Sequence, residues 1–379
     1  MKFPISWGAK NPKIRGPLIP KTASEKLNNV IGSYTNHLSI YRGIAIAKGI
    51  LKPNTPLDLS LTEPSDLIGP FPQWFTRKIV TFDPFGANIS TDFSELIKSG
   101  VNLRPTIAIT RSKLYITEID NEVTKKNIFP DGKVLLENRK INVIKIAIEP
   151  VWYLPGLAQR FAVSEYTLRE ALYNASGGMY EELITNQEKK VFLPPIGNYS
   201  VYILGDIKKL GSAVPTALRV HDECIGSDVF GAEICTCRPY LMYGIMESIK
   251  CAQEGGLGII IYGRKEGRSL GEVIKFMVYN ARMRQEKGDL ESEYFLRTKK
   301  VAGVVDIRFQ ELMPDILHWL GITQIDKFVS MSDSKRDAIV NSGIDVLQQI
   351  SLPSERVPES ANVEINAKKA IMSNIFETC

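Results

Sequence analysis

Residues 218–262 read LRVHDECIGSDVFGAEICTCRPYLMYGIMESIKCAQEGGLGIIIY, and this stretch decides the fold predicted for the C-terminal half. A strand-like run ends at His221 and leads into a loop that is rich in cysteine. Beyond the loop, apolar residues recur at the spacing of one helical face, namely Leu241, Ile245, Ile249 and Ala252. Gly255 and Gly256 end that helix, and the apolar run at 257–262 predicts a buried strand. A strand, a helix and a second strand in this order favour an α/β arrangement.

The alternation of helices and strands continues on both sides of this stretch. In the C-terminal half, the pattern predicts helices through Tyr279 and Arg282, at 310–320 and at 334–341, and strands at 199–204, 325–330 and 344–350. In the N-terminal half, it predicts helices at 38–48, 90–98 and 165–173, and strands at 78–82, 106–110 and 141–148. We therefore expect an α/β (α+β) protein in three parts: an N-terminal α+β domain of unknown role at 1–190, an interleaved domain at 191–355, and a C-terminal tail at 356–379.

The charge and hydropathy of the chain limit its partners. Its 379 residues carry a formal net charge of +5, which suits an anionic substrate, although a surface slightly richer in lysine explains the charge equally well. No run of 18 apolar residues occurs, and the first residues lack an apolar stretch of signal-peptide length. We expect a cytoplasmic protein that binds neither a membrane nor nucleic acid.

Three of the five cysteines form a cluster, in which Cys224, Cys235 and Cys237 follow the pattern C-x10-C-x-C. Such crowding makes a poor disulfide framework and is more typical of a metal site, because thiolates favour zinc. One interpretation is a catalytic zinc whose fourth position holds water, with the pKa of that water lowered to about 7. A second is a structural zinc closed by His221, and a third is three ordinary buried cysteines. Cys251 is expected to be a core thiol, and Cys379 to belong to a frayed terminus.

Three further motifs have residues suited to a phosphorylated ligand. Glu266-Gly267-Arg268 lies in a basic turn after a predicted strand, where ligands bind in open α/β sheets, although a charged turn is often only solvated. Asp306 and Arg308 share one face if they lie in a strand, although most such pairs are surface ion pairs. Ser330-Met331-Ser332-Asp333-Ser334-Lys335 opens a helix and suits phosphate binding, although Ser332 or Asp333 could simply cap it.

Together these segments resemble the GTP cyclohydrolase II family, enzymes that open a purine ring in riboflavin biosynthesis. The stretch from Arg219 to Cys224 is similar to the family's R-V-H-S-E-C, and the cysteine spacing is similar to that of its catalytic zinc site. Glu266-Gly267-Arg268 resembles its E-G-R, and Asp306 with Arg308 its D-x-R. The resemblance covers about residues 191–353. Several motifs in register favour the catalytic zinc over the structural one.

The resemblance implies a role for each matching residue. Cys224, Cys235 and Cys237 would bind one catalytic Zn²⁺. Arg308 would attack the α-phosphate and release pyrophosphate, with Asp306 as the proton acceptor, and Tyr279 would lie near the base. The nucleotide would lie against Arg219, Val220, His221, Asp222, Glu223, Glu266, Gly267, Arg268, Ser330 and Lys335. Mg²⁺ would accompany the triphosphate, and a homodimer is the expected assembly.

Several departures from the family pattern concern the base. Where the family has C-D-C-G-x-Q, this chain has Cys235-Thr236-Cys237-Arg238-Pro239-Tyr240. The family's glutamine helps to hold the guanine edge, and Tyr240 cannot present the same donor and acceptor pair. The family's Thr-Val-Glu-Ala-Asn run has no clear counterpart.

A closer resemblance is to the uracil-catabolism branch of the family, through Cys-Thr-Cys-Arg-Pro-Tyr, the segment at 315–321 and the long N-terminal extension. Three hypotheses follow. In the first, the enzyme opens the pyrimidine ring of UTP. In the second, it is a GTP cyclohydrolase II that converts GTP to formate, pyrophosphate and a 2,5-diamino-6-ribosylamino-pyrimidinone phosphate. In the third, it is a non-catalytic zinc or nucleotide-binding module.

Overall fold

The computed structural model describes residues 2–21, 25–34, 38–53, 55, 57–194 and 199–376, so His37 and Cys379 lie outside the described residues. These described residues contain ten strands, numbered in chain order: β1 (Ile31–Gly32), β2 (Ile107–Leu114), β3 (Ile141–Ile148), β4 (Trp152–Tyr153), β5 (Val191–Leu193), β6 (Tyr199–Leu204), β7 (Thr216–Asp222), β8 (Leu257–Gly263), β9 (Gln324–Val329) and β10 (Asp345–Ile350). They form a three-stranded sheet and a seven-stranded sheet. The predicted α/β class is confirmed.

Fifteen α-helices accompany the strands in the described part of the chain. They are α1 (Pro12–Arg15), α2 (Ser39–Ala47), α3 (Ile89–Asp92), α4 (Ser94–Lys98), α5 (Thr117–Thr124), α6 (Leu154–Arg160), α7 (Glu165–Ala175), α8 (Glu182–Thr185), α9 (Ile225–Asp228), α10 (Cys237–Gln253), α11 (Glu272–Met283), α12 (Tyr294–Ala302), α13 (Pro314–Trp319), α14 (Asp333–Asn341) and α15 (Asn362–Phe376). Within these residues, no helix combines the length and the apolar character that crossing a bilayer requires.

The large sheet has the strand order β10-β9-β7-β8-β6-β3-β2. Strands β10, β9, β7 and β8 run parallel, whereas β6, β3 and β2 continue the sheet in antiparallel fashion. Because β7, β8 and β9 are parallel neighbours, their carboxyl ends lie along one edge of the sheet. Ligands bind at this edge in open α/β sheets.

The central strands are buried because both faces of the sheet are covered. All of β7 except Asp222 is buried, and β8 is buried at every position except Tyr262. Helix α10 packs against both strands and approaches β7 very closely at Gly244, where an added Cβ would lie 2.7 Å from the Arg219 side chain. The helix ends before Gly255, which has the positive φ of 91° that favours glycine.

The sheet and the core both extend across residue 190. Strand β3 from the N-terminal half pairs with β6 of the C-terminal half, and β2 pairs with the other edge of β3. Trp74 stacks on Trp319 at 6.1 Å, and its indole N–H donates to the Trp319 carbonyl at 2.8 Å. The division at residue 190 stays a prediction, but the two halves share one hydrophobic core.

Residues 78–82 belong to neither sheet, and residues 81 and 82 form a bend, so the strand predicted there is wrong. The backbone N–H groups of Val80 and Thr81 donate to the buried carboxylate of Asp315, at 2.8 and 3.0 Å. A carboxylate from α13 therefore satisfies donors that a neighbouring strand would otherwise bind. The helix predicted at 90–98 is likewise two short helices, α3 and α4.

Candidate active site

A cavity of about 470 Å³ opens where β7, β8 and β9 end. This volume lies within the usual range of small-molecule sites. All but one of the predicted site residues line it, namely Arg219, His221, Asp222, Glu223, Cys224, Cys235, Cys237, Tyr240, Glu266, Gly267, Arg268, Tyr279, Asp306, Arg308, Ser330 and Lys335.

The exception is Val220, whose side chain packs in the main core at 2% exposure. Side chains alternate across a strand, so Arg219 and His221 share the face opposite to Val220. Only the backbone of Val220 meets a site residue, because its carbonyl accepts from the Lys335 ammonium at 3.3 Å.

The three clustered cysteines converge on one point of the cavity wall. Cys224 follows β7, Cys235 precedes α10, and Cys237 is the first residue of that helix. Their Sγ atoms all lie within 4.8 Å of one another, and those of Cys224 and Cys235 are 3.5 Å apart. A set of three soft sulfur donors at this spacing fits a thiophilic metal ion such as zinc.

Lys275 on α11 supplies a positive charge to this cluster. Its ammonium donates to Cys224 Sγ and to Glu266 Oε1, both at 2.8 Å. Hydrogen bonds from Cys235 and Cys237, together with this ammonium, lower the pKa of the Cys224 thiol. The site therefore favours the thiolate that metal binding requires.

His221 is committed to other partners and lies outside the metal cluster. Its Nε2 lies 3.0 Å from both carboxylate oxygens of Asp228, and its Nδ1 lies 3.2 Å from Arg219 Nη2. A guanidinium can only donate, so Nδ1 accepts and Nε2–H donates to Asp228. Burial lowers the pKa of His221, which agrees with a neutral ring. The arrangement does not support the interpretation in which His221 closes a structural zinc site.

Asp228 links His221 to the cysteine loop. Its carboxylate also accepts from the Cys224 backbone N–H at 3.0 Å and from the Tyr262 hydroxyl at 2.7 Å. One buried carboxylate thus orients the histidine, the strand end and the first cysteine.

A buried cluster of charges surrounds Asp222 at the end of β7. Asp222 Oδ2 lies 2.7 Å from both Arg308 Nη1 and Lys335 Nζ. Burial alone would raise the pKa of Asp222, but Lys335, Arg308 and Lys265 hold it well below its usual value. Burial lowers the pKa of Lys335 to about 8, against the opposing effect of Asp222. The cluster has more cations than its carboxylates neutralise, which suits phosphate oxygens.

Arg308 is held between two carboxylates. Its Nε donates to both oxygens of Asp306 at 2.9 and 3.0 Å, its Nη2 pairs with Asp306, and its Nη1 binds Asp222. Burial opposes the charge, but Asp306 and Asp222 raise the pKa of Arg308 above its usual value. The guanidinium is thus rigidly positioned and protonated when the cavity holds no ligand.

The Glu266-Gly267-Arg268 turn connects the cysteine loop to the part of the cavity wall that Tyr294 and Phe295 form. Glu266 Oε2 accepts from the Ile225 backbone N–H at 2.7 Å, which ties the turn to the cysteine loop. Gly267 has a φ of 59°, and an added Cβ would lie 3.2 Å from the Lys275 side chain. The guanidinium of Arg268 lies over the rings of Tyr294 and Phe295, at 5.4 and 5.0 Å.

Four other predicted residues complete the wall. Tyr240 is 4% exposed, and the Arg219 guanidinium lies 4.9 Å from its ring centre. Glu223 pairs with Arg264 at 3.1 Å. Ser330 Oγ accepts from the Ser332 backbone N–H at 3.0 Å, so it stabilises the turn before α14. Burial raises the pKa of Tyr279, so its hydroxyl stays protonated at neutral pH.

Sequence reasoning missed several residues that line or support the cavity. Lys275, Arg282 and Tyr294 line it from α11 and α12, and Glu364 and Lys368 line it from α15. Lys275 and Arg282 lie on the same helical face as the predicted Tyr279, at i, i+4 and i+7, and this spacing is a signal that could have predicted both. The residues of α15 lie far along the chain, in a segment expected to be a tail, so no local signal marks them.

Comparison with known proteins identifies the family. The family description "GTP cyclohydrolase N terminal" matches residues 1–175, and "GTP cyclohydrolase II" matches residues 179–351. The chain belongs to the GTP cyclohydrolase II family, and it is an enzyme of the cyclohydrolase class.

Individual relatives fall into two groups by coverage. "Uracil-regulated protein 1" of Schizosaccharomyces pombe is 49% identical over 379 residues, which span 99% of this chain and 85% of that protein. A protein of Lachancea kluyveri, provisionally named as the GTP cyclohydrolase URC1, is 47% identical over 97% of this chain and 83% of its own length. "GTP cyclohydrolase-2" of Buchnera aphidicola subsp. Schizaphis graminum is 31% identical over 44% of this chain and 77% of its own length.

The cysteine cluster predicts which thiols are needed for metal. Replacement Cys235→Ser removes one of three converging donors, so bound metal should fall from about one ion per chain to nearly none. Elemental analysis of purified protein measures this content. Cys251→Ser is the control, because that buried thiol lies near the Pro215 carbonyl and outside the cluster, and it should keep its metal. Full metal content in the Cys235 variant would contradict the assignment.

Proposed function

We propose that the protein is a zinc-dependent nucleoside-triphosphate cyclohydrolase that opens the base of UTP in uracil catabolism. One observation carries the proposal: a single cavity is lined both by a three-thiol cluster and by a buried group of arginine and lysine side chains. The first group suits a metal that assists ring hydrolysis, and the second suits a triphosphate.

The thiols of Cys224, Cys235 and Cys237 fit zinc by number and by softness. When bound with three protein ligands, zinc supplies a Lewis acid and activates water at neutral pH. The protein's own contribution is to keep the Cys224 thiol ionised and its backbone fixed. Lys275 supplies the charge, and Asp228 holds the Cys224 backbone.

Tyr240 supports a pyrimidine over guanine. It occupies the position of the family's glutamine, and its ring is fixed between the Arg219 guanidinium and a small apolar cluster that contains Val329 and Leu352. A phenol cannot offer the paired donor and acceptor of an amide to guanine. The relative from Schizosaccharomyces pombe that matches 99% of this chain is named "Uracil-regulated protein 1", and this name also favours a uracil nucleotide.

Arg308 and Asp306 are proposed to cleave the triphosphate. A nitrogen of Arg308 forms a bond to the α-phosphorus, the bond from that phosphorus to the bridging oxygen breaks, and pyrophosphate leaves with the electron pair. The proton from the guanidinium passes to Asp306, which already accepts its Nε–H. Since the two carboxylates raise the pKa of Arg308, the proton has to move during the attack rather than before it.

The remaining parts of the proposal concern partners and assembly. Mg²⁺ arrives with the triphosphate, whose charge exceeds what Lys335, Lys265 and Arg308 can balance. We further propose a homodimer and a cytoplasmic location. Hydrolysis of GTP is the second candidate, because the Glu266-Gly267-Arg268 turn and the Asp306–Arg308 pair are intact and relatives named GTP cyclohydrolase-2 match the C-terminal half.

Product analysis by mass spectrometry tests the function. Zinc-loaded protein with Mg²⁺ is given UTP, GTP, CTP and ATP separately, and we expect UTP alone to be consumed, with pyrophosphate released. The Cys235→Ser variant, purified identically, controls for contaminating phosphatases. Conversion of GTP with loss of formate, while UTP stays intact, would assign the protein to purine ring opening instead.

Substitution of Arg308 tests whether this residue attacks the α-phosphorus or only binds the phosphate as a cation. We expect Arg308→Lys to lower kcat by at least about 10³-fold with little change in KM, because an ammonium keeps the charge but cannot bridge Asp222 and Asp306. Pyrophosphate release, followed by a coupled assay, gives both constants. Arg336→Ala, on the exposed side of α14, is the control and should behave as wild type. Turnover of the lysine variant within about tenfold of wild type would show that Arg308 serves only as a cation.

A further inference from the structure

Helix α15 closes one side of the cavity. Glu364 and Lys368, one turn apart on this helix, both line the cavity. The segment is anchored at its start, where the Ser360 hydroxyl donates to the Glu233 carbonyl at 2.8 Å, and in its middle, where the Asn366 amide donates to Glu291 at 2.5 Å. The expected tail is thus an ordered wall of the site.

Glu364 is a buried carboxylate with one unused oxygen. The residue is only 6% exposed, and its Oε1 pairs with the Lys368 ammonium. Its Oε2 is buried and has no partner that meets both the distance and the angle of a hydrogen bond among the residues that the structure describes, although the backbone N–H of Thr236 lies near the carboxylate. An unsatisfied acceptor on a buried carboxylate is costly, so a native structure that keeps one usually has a partner for it outside the chain.

The position of this oxygen is beside the metal cluster. Burial raises the pKa of Glu364, but Lys368, Arg268 and the backbone N–H of Thr236 more than offset this effect and lower it. Thr236 lies between Cys235 and Cys237, so the carboxylate faces the cavity next to the thiols. A base placed for ring opening at the metal would lie within reach of this side chain.

We propose that Glu364 and Lys368 recognise the edge of the nucleobase, with Glu364 Oε2 accepting from a ring N–H and the Lys368 ammonium donating to the adjacent carbonyl. The inference rests on the proposed function, and it adds the contacts by which the base edge is held. An ionised carboxylate only accepts and an ammonium only donates, so the pair requires a base edge on which an N–H group lies beside an acceptor, as N3–H lies beside a keto oxygen in uracil.

The four common bases meet this requirement in different ways. Uracil fits, because its N3–H lies between two carbonyl groups. Cytosine and adenine would bind in a different way, with an amino N–H donating to Glu364 and the Lys368 ammonium donating to an unprotonated ring nitrogen. Guanine has the ring N–H and the carbonyl, but its exocyclic amine adds a donor that uracil lacks. The pair therefore holds uracil through its ring N–H and a keto oxygen, and blocking that N–H tests the contact.

Methylation of the base nitrogen provides a probe. We would measure calorimetric binding of α,β-methylene-UTP, which cannot release pyrophosphate, and of its N3-methyl derivative to zinc-loaded protein. The wild type should bind the unmethylated analogue about 10- to 100-fold more tightly, as expected for a hydrogen bond to a charged group. In Glu364→Leu, which keeps the bulk without the acceptor, the ratio should shrink to within about threefold. Glu359→Leu makes the same change at an exposed position and should retain the wild-type ratio.

The outcomes separate this inference from the proposed function. Equal affinity of wild-type protein for both analogues overturns the role of Glu364 while leaving UTP as the substrate. An undiminished ratio in Glu364→Leu does the same. Failure of the wild type to bind either analogue instead removes the proposed function. Should Glu364→Leu fail to fold, Glu364→Gln, which keeps a neutral acceptor, is expected to give an intermediate ratio, and a wild-type ratio there contradicts the inference.

Discussion

The carboxylate of Asp222 is largely buried at the end of β7, with 9% of its side chain exposed, and its bonds to both Arg308 and Lys335 hold the site together. Two cations from distant parts of the chain converge on one anion, which fixes the loop before α13 and the start of α14 against the central strand. Removal of one partner from such a buried group typically costs about 3–5 kcal/mol, because it leaves an uncompensated charge. The same cations, positioned in this way, remain available to a phosphate.

The parallel strands explain why motifs so far apart in sequence form one site. The carboxyl ends of β7, β8 and β9 adjoin, so the cysteine loop, the Glu266 turn and the start of α14 meet at one edge of the sheet. Sequence reasoning could predict this meeting from motif order and from the α/β alternation. It could not predict that Val220 points into the core, since strand alternation sets the side-chain direction only once the strand is placed.

The residues that the sequence did not reveal share one property: their contacts become visible only in the folded structure. Asp228 holds His221 and Cys224 through contacts that no short motif encodes. Asp315 accepts from the backbone N–H groups of residues 80 and 81, which in a sheet would donate to a neighbouring strand. This strand-like segment therefore remains outside the sheets. Glu364 reaches the cavity from a helix beyond the last strand. The N-terminal half contributes β2 and β3 to the common sheet and packs against Trp319 in the shared core.

We propose that one cavity holds a metal at the cysteines and the triphosphate at the Asp222 cluster. A crystal structure of the zinc-loaded protein with α,β-methylene-UTP, recorded at the zinc absorption edge, would locate both ligands. We expect an anomalous peak among the three Sγ atoms, phosphate oxygens on Arg308 and Lys335, and the base beside Cys237 and Glu364. Zinc bound through His221, or a nucleotide whose phosphates lie away from the Asp222 cluster, would contradict it.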